Sequence, residues 1–280
     1  MNKDFYVENR RKLAVNLEDG DLMLFFSGES VRKSADENYP FFTNRNFLYL
    51  TGVQQERTAL LLQRRSGDLS ASLFALAPDP AREVWTGRRF TWDELAELSG
   101  VTQIEDIETL ERVLDGLLAA RPAVTLWLCF DALMPERACD LERQFAARIA
   151  ARHPHVAIRN SYPLVCGLRK IKTPGEIEAI RQGMAITAAG IARLMNSAQP
   201  GKMEYELEAE FQSELAAHGQ RRTAFPSIIA SGERIFYLHY SSLMGQVAEG
   251  ELILTDVGAP YDDFHHAVDR PLAGELDPAQ

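Results

Sequence analysis

The order of apolar and polar positions divides the chain into short apolar runs and longer stretches with helical spacing. In the first half, runs of four to seven mostly apolar residues predict strands, whereas apolar residues spaced three and four apart predict helices. The predicted strands cover residues 22–26, 47–50, 59–62 and 124–130. The predicted helices cover residues 92–98, 107–119 and 135–151. This alternation predicts an α/β domain with a mixed, largely buried sheet and flanking helices.

A helix-start signal marks the beginning of a second region. Thr173 is followed by Pro174 and Glu176, which predict an N-cap, a first helical residue and the closing residue of a capping box. Apolar residues continue at helical spacing to Leu194, and a second amphipathic helix follows around Phe211. Because strand-like patterns come next, we expect this region to be α+β. The predicted strands cover residues 226–230, 235–240, 246–247 and 251–257.

The composition agrees with two folded domains. The chain has 280 residues, of which 46% are hydrophobic, so each half is long enough to bury a core of its own. We place the boundary near residue 169 and expect domains over residues 1–168 and 169–280. The formal net charge of −10 and the lack of runs rich in Lys and Arg disfavour binding to nucleic acids or to anionic membrane surfaces.

The sequence also predicts a cytoplasmic location. The first residues lack the apolar stretch of a signal peptide, and nowhere do 18 or more apolar residues run together. The three cysteines, Cys129, Cys139 and Cys166, are odd in number and lack C-x-x-C spacing. We therefore expect reduced thiols rather than disulfides or a zinc site.

Several segments of the chain, taken in order, resemble the prolidase, aminopeptidase P and creatinase family. They are residues 46–52 and 83–89 in the first half, and 225–232, 238–240 and 250–259 in the second. The resemblance implies a creatinase-type N-terminal domain followed by an incomplete pita-bread catalytic domain. It also implies a metallopeptidase activity that removes the N-terminal residue before proline, with a hydroxide activated by two divalent ions, usually manganese. Peptides with proline in second position would be the substrates, and a homo-oligomer is expected.

The resemblance assigns roles to individual residues. Asp256 matches the family's first metal-binding Asp, and the alternative is a strand-end carboxylate that caps nearby amides. His239 matches the histidine near the substrate carbonyl, and the alternative is a structural histidine. Trp85 lies in a segment that, in oligomeric members, is close to a neighbouring subunit's active site. Its alternative is an ordinary core or interface tryptophan.

The rest of the metal site departs from the family pattern. The second metal-binding Asp falls on Ala267, which cannot bind a metal, and Asp269, two residues on, is a weaker candidate on the same strand face. A different metal site within residues 262–269 is a further alternative, although adjacent strand residues face opposite ways.

The remaining family ligands, one His and two Glu, would lie beyond Gln280. We therefore expect a C-terminally truncated chain that is inactive alone and does not hold two manganese ions properly. The alternative is a non-catalytic pseudoenzyme that acts as a peptide-binding or oligomerisation module.

Overall fold

The computed structural model describes residues 1–120, 124–130 and 141–261, together with the backbone of the strand Leu272–Gly274. The chain divides into two units, Met1–Ile171 and Lys172–Gln280, and each is described separately. The predicted boundary near residue 169 falls within a helix, Tyr162–Lys170, that ends the first unit.

The first unit is built on a six-stranded mixed sheet. The strands are β1 Leu22–Phe26, β2 Ala59–Arg65, β3 Asp68–Ala75, β4 Gln103–Asp106, β5 Val124–Leu128 and β6 Val156–Asn160. Strand β1 forms antiparallel pairs with β2, as does β2 with β3, whereas the pairs β3–β4, β1–β5 and β5–β6 are parallel. The order across the sheet is β4-β3-β2-β1-β5-β6.

Helices flank this sheet, as the sequence pattern predicted. Leu24 of β1 and Leu126 of β5 pack in one buried cluster with Leu114 and Phe145 from two of the helices. Met23 in β1 is fully buried too, so the opposite face is also covered, because successive strand residues point to opposite faces. The helices are α1 Lys3–Ala14, α2 Arg45–Thr51, α3 Pro80–Thr86, α4 Trp92–Ser99, α5 Leu110–Ala119, α6 Leu141–Arg152 and α7 Tyr162–Lys170.

The strand predicted at 47–50 is wrong, because these residues belong to helix α2. Asn44 caps the helix by accepting hydrogen bonds from the backbone N–H of Asn46 and Phe47, and Gly52 ends it at a φ of 71°. Every residue from Asn46 to Thr51 is buried, so the segment has no exposed face whose polar residues would recur at helical spacing. A short, uniformly apolar run does not distinguish a strand from a buried helix, whereas the flanking Asn and Gly are genuine helix signals.

Most other elements predicted in the first unit are confirmed. The predicted strand 22–26 is β1, the predicted strand 59–62 lies within β2, and the helix at 92–98 is α4. The helix predicted at 107–119 begins as a short 3-10 turn, Ile107–Thr109, before α5. The part of the predicted helix 135–151 before Leu141 lies outside the described residues.

The second unit begins with two packed helices, α8 Pro174–Ser197 and α9 Glu204–Ala217. The predicted capping box of α8 is present: Thr173 Oγ1 accepts from Glu176 N at 3.3 Å, and Glu176 Oε2 accepts from Thr173 N at 2.8 Å. Where the helices cross, a Cβ on Gly190 would lie only 2.6 Å from the ring of Phe211. Glycine therefore permits this close approach.

An antiparallel sheet follows these helices. Its strands are β7 Ile228–Ser231, β8 Ile253–Asp256 and β9 Leu272–Gly274, in that spatial order. The core of the unit includes Ile186, Phe211 and Ile229, so the helices and the sheet bury a common apolar surface. The predicted α+β character is confirmed.

Two strand predictions in this unit are wrong. Residues 235–240 form the end of a 3-10 helix, Gly232–Phe236, and then a loop. The apolar side chains of Phe236, Tyr237 and Leu238 are exposed by 80%, 64% and 87%, so this run is not a buried strand. No strand forms at 246–247, where Gln246 pairs with Met203 in an isolated β-bridge.

Candidate functional site

Asp256 is the last residue of β8 and lies opposite Ile228 of β7. Ile253 and Thr255 point into the core, whereas Leu254 and Asp256 lie on the half-buried face, so strand alternation sets the direction of the carboxylate. Its Oδ1 atom is shielded from solvent. A carboxylate in this setting is suited to bind a hard cation.

The backbone that follows Asp256 is fixed against other parts of the second unit. Ala259 N donates a hydrogen bond of 2.9 Å to Thr187 Oγ1 on α8, and Ala224 N donates to Gly258 O at 2.9 Å. A Cβ on Gly258 would lie 2.9 Å from the ring of Phe225, which is closer than real Cβ contacts allow. These contacts restrict how far the end of β8 can shift.

His239 lies on a different element from Asp256. It is exposed in the loop that follows the 3-10 helix Gly232–Phe236, and not on a strand as the sequence pattern predicted. Strand β8 does contact that 3-10 helix. An exposed imidazole is accessible to a bound molecule, which a buried structural histidine would not be.

A buried carboxylate next to this loop was missed by the sequence analysis. Glu204, the first residue of α9, has no exposed side-chain surface. Its Oε1 accepts from Ser231 N at 2.8 Å, Ser231 Oγ at 2.9 Å and Arg234 Nε at 2.8 Å. Its Oε2 accepts from Tyr240 OH at 2.7 Å and Gly245 N at 2.8 Å. No sequence motif joins these residues, because they are brought together only by the fold.

The pKa of Glu204 reflects two opposed effects. Burial acts to raise it, but hydrogen bonds from Arg234, Tyr240 and the backbone N–H of Gly245 and Ser231 more than offset this, so the pKa lies below its usual value. The same carboxylate raises the pKa of Arg234. The pair is therefore ionised at neutral pH, and the buried carboxylate has a partner of opposite charge.

The metal site is only partly within the described residues. Among residues 1–120, 124–130 and 141–261, no group of three or more His, Cys, Asp or Glu side chains is placed to hold a metal ion. Ala267, Asp269 and the rest of the segment 262–269 lie outside the described residues. Asp256 thus fits one oxygen position of a divalent-metal site, and a single carboxylate does not complete such a site.

Trp85 lies in α3 of the first unit. Its side chain is 88% exposed, that of Val84 is 81% exposed, and the helix buries none of its residues. The alternative of a core tryptophan is therefore excluded.

In the described part of the chain, no helix has the length and hydropathy needed to cross a membrane.

Comparison with known families defines the class of the protein. Residues 178–280 match metallopeptidase family M24, and residues 6–127 match the aminopeptidase P N-terminal domain. The chain is also 29% identical, over 100% of its length, to an Xaa-Pro aminopeptidase of Escherichia coli. The first unit thus corresponds to an aminopeptidase P N-terminal domain and the second to part of an M24 domain, a metallopeptidase architecture. Within that class, the relatives that the chain resembles over its whole length are Xaa-Pro aminopeptidases, or aminopeptidases P.

Solved structures agree with this assignment. E. coli aminopeptidase P with the inhibitor Pro-Leu superimposes with a TM-score of 0.86 at 26% identity, covering 98% of this chain and 62% of that one. Zinc-substituted E. coli aminopeptidase P in complex with product gives 0.87 at 26% identity, covering 100% and 64%. The chain spans less than two thirds of the length of these relatives.

Proposed function

We propose that the protein acts as an Xaa-Pro aminopeptidase-like metallopeptidase, which hydrolyses the bond between an N-terminal residue and a following proline. The observation that carries the proposal is Asp256, a carboxylate fixed at the end of β8 within the part that matches family M24. The E. coli relative is named an Xaa-Pro aminopeptidase, and the inhibitor Pro-Leu in its structure begins with proline, as does the product left when the residue before proline is removed. Both support peptides with proline in second position as the substrate class.

The proposal includes a divalent-metal site of the family type, which takes two manganese ions, and this chain supplies part of its ligand set. The zinc-substituted relative supports a divalent metal in this family. Asp256 would bind one of the ions through its carboxylate, and Asp269 is the candidate that replaces the family ligand at Ala267. Bound divalent ions would lower the pKa of water and neutralise the charge that develops on the substrate carbonyl.

His239 and Trp85 have separate proposed roles. The exposed imidazole of His239 would contact the substrate carbonyl and donate a hydrogen bond to its oxygen as negative charge develops there. The exposed Trp85 and Val84 would bury their apolar surface against a second copy of the chain.

We also propose a cytoplasmic location, which the free thiol of Cys166 supports.

Peptide cleavage and metal binding test the proposed activity separately. Release of arginine from Arg-Pro-Pro by the wild-type chain with added manganese would establish catalysis by this chain, and Asp256→Asn should then abolish the cleavage and weaken the manganese binding seen by calorimetry. His239→Ala should lower the cleavage rate while leaving manganese binding unchanged. Glu233→Gln, an exposed acidic residue of the same unit, is the matched control. Tight manganese binding without cleavage would contradict activity of this chain, and unchanged binding in Asp256→Asn would contradict the ligand assignment.

The oligomer proposal has its own experiment. Light scattering and sedimentation should show a dimer or larger assembly, and Trp85→Ala should weaken it. The control is Trp92→Ala, which removes a less exposed tryptophan from the neighbouring helix α4. A wild-type chain that stays monomeric at high concentration would contradict this proposal.

A second candidate function is a non-catalytic peptide-binding module, and a groove in the first unit favours it. The groove has a volume of about 690 Å³ and is lined by Arg10, Arg11 and Arg64, with Asp68 as the single carboxylate among its described lining residues. Strand β4 pairs with β3 only from Ser72 onward, so positions 68–71 have no partner strand on that side within the described chain. An extended acidic peptide could pair with this edge.

Fluorescence anisotropy with a labelled acidic peptide tests this second function. Arg64→Ala should weaken binding by about tenfold, since one cation of the groove is lost. Arg65→Ala is the control, because Arg65 is exposed at the end of the same strand but does not line the groove. Equal binding by the wild-type and Arg64→Ala chains would contradict the groove as the site.

A further inference from the structure

We propose that Glu204 is a positioning residue that fixes the loop carrying His239. This inference rests on the proposed function insofar as His239 acts on substrate, but the placement of the loop is a property of the chain itself. The carboxylate is completely buried among its own hydrogen-bond donors, so it would act through the loop.

The donors to Glu204 lie at both ends and in the middle of one segment. Ser231 ends β7, Arg234 lies in the 3-10 helix, Tyr240 follows His239 directly, and Gly245 is near the end of the loop. One side chain on α9 therefore joins a strand, a short helix and a loop. His239 lies inside the segment closed by these contacts.

Within this segment, regular secondary structure ends at Phe236, so backbone ladders do not hold the loop beyond it. Tyr240 OH instead donates to Glu204 and accepts from Met244 N at 3.1 Å. Backbone contacts with the start of α9 complete the attachment: Glu204 N donates to Gly245 O at 2.9 Å, and Tyr205 N donates to Leu243 O at 3.1 Å. The geometry of the loop therefore depends on the first turn of α9.

The space around this carboxylate is also closely filled. A Cβ on Gly245 would overlap the guanidinium of Arg234, which also donates to Ser231 Oγ at 2.7 Å and Gln246 O at 3.2 Å. Gly245 thus allows the guanidinium to lie beside the backbone and reach Glu204. Since charge-assisted hydrogen bonds are strong and directional, these contacts define one loop conformation.

Hydrogen exchange resolved by residue tests the inference without requiring activity. Glu204→Gln keeps the side-chain shape but replaces one acceptor oxygen with an NH₂ group. We expect exchange at the amides of Ser231 and Gly245 to rise at least tenfold, while the amide of Ala230, which lies opposite Leu254 in the β7–β8 ladder, changes by less than twofold. Glu208→Gln, on the same helix one turn later, should leave all three unchanged.

A second, less disruptive variant tests the inference if Glu204→Gln does not fold. Tyr240→Phe removes one hydroxyl, and exchange at Met244 should rise while Ala230 stays protected. The ring signals of His239 should broaden or shift in both variants but not in Glu208→Gln. An equal rise in the loop and in β7 would show a purely structural role and overturn the inference, as would no change in the loop.

Failure of the inference and failure of the proposed function give different results. A chain that does not cleave Arg-Pro-Pro can still show the expected exchange pattern, in which case only the activity is contradicted. If the chain does cleave the peptide, Glu204→Gln should lower kcat more than it raises KM, because a displaced His239 would affect the reacting carbonyl more than peptide binding. Normal kcat in a variant with a loosened loop would contradict the link to His239.

Discussion

The phenolic hydroxyl of Tyr240 donates a hydrogen bond of 2.7 Å to Oε2 of Glu204, although 36 positions separate the two residues. The same carboxylate receives the guanidinium of Arg234 through its other oxygen, at 2.8 Å. Glu204 is completely buried, so its negative charge depends on these donors for its stability.

The second unit should lose stability in acid through Glu204. Because its pKa is lowered in the folded state, its contribution is fully present above the unfolded value of about 4.3 and is lost as the pH falls through the folded pKa. Urea unfolding followed by circular dichroism should show the largest difference between the wild type and Glu204→Gln above pH 5. The difference should shrink below pH 4, whereas Glu208→Gln should follow the wild type throughout. A difference that does not vary with pH would contradict the assignment.

The crossing of α8 and α9 should tolerate no side chain at Gly190. Gly190→Ala places a methyl group 2.6 Å from the Phe211 ring, so the helices must separate or the ring must move. Overpacking of this kind costs about 1–3 kcal/mol, and the urea midpoint of the second unit should fall.

A helical glycine with open space provides the matched control. Gly116 lies in α5 of the first unit, and an added Cβ there meets nothing within 4 Å. Gly116→Ala should therefore stabilise its helix by about 0.5–1 kcal/mol, because alanine has the higher helix propensity. If both substitutions shift the midpoint in the same direction, the close approach at Gly190 is not the reason for its glycine.

The capping box at the start of α8 gives a third prediction. Thr173→Ala removes the acceptor for Glu176 N and leaves that N–H without its cap, which should cost about 1 kcal/mol of stability. Thr223→Ala is the control, since Thr223 lies in a loop of the same unit and has no cap role. Unfolding monitored at 222 nm as a function of urea measures both. Equal effects of the two substitutions would contradict the cap.

The same capping box shows why parts of the fold were predictable. Thr173 and Glu176 interact locally, so their spacing in the sequence is enough to indicate the helix start. Strand β1 was also visible, because its five residues are all apolar and buried. The helix over segment 47–50 could not be predicted from its spacing, because a helix that is buried on every side shows no alternation of apolar and polar residues. Only its caps at Asn44 and Gly52 distinguish it from a strand.

The candidate site was predictable only where it resembles a local motif. Asp256 was identified because residues 250–259 resemble a family segment, and the fold places it at the end of β8, as the apolar run before it predicted. Glu204 was missed because its partners lie 27 to 41 positions away, and nothing in the local sequence distinguishes a buried glutamate from the exposed ones beside it. A tertiary network of this kind becomes apparent only from the structure.

A final prediction concerns Arg10, which joins three elements of the first unit. Its Nη1 donates to Leu50 O at 2.6 Å at the end of α2, and its Nη2 donates to Ser99 O at 2.8 Å at the end of α4. Burial lowers the pKa of Arg10 to about 10, so the guanidinium remains charged at neutral pH and stabilises the carbonyl ends of both helices.

Arg10→Lys should destabilise the first unit by about 1.5–3 kcal/mol, because a single ammonium lacks the planar fork that reaches two separated carbonyls. Arg11→Lys is the matched control on the next, solvent-facing position of α1, where the side chain has a long contact of 3.7 Å with Glu8. That substitution should change stability by less than 0.5 kcal/mol. Urea unfolding with exchange at the amides of α2 and α4 measures both effects. Equal stability of the two variants would show that Arg10 does not hold these helix ends together.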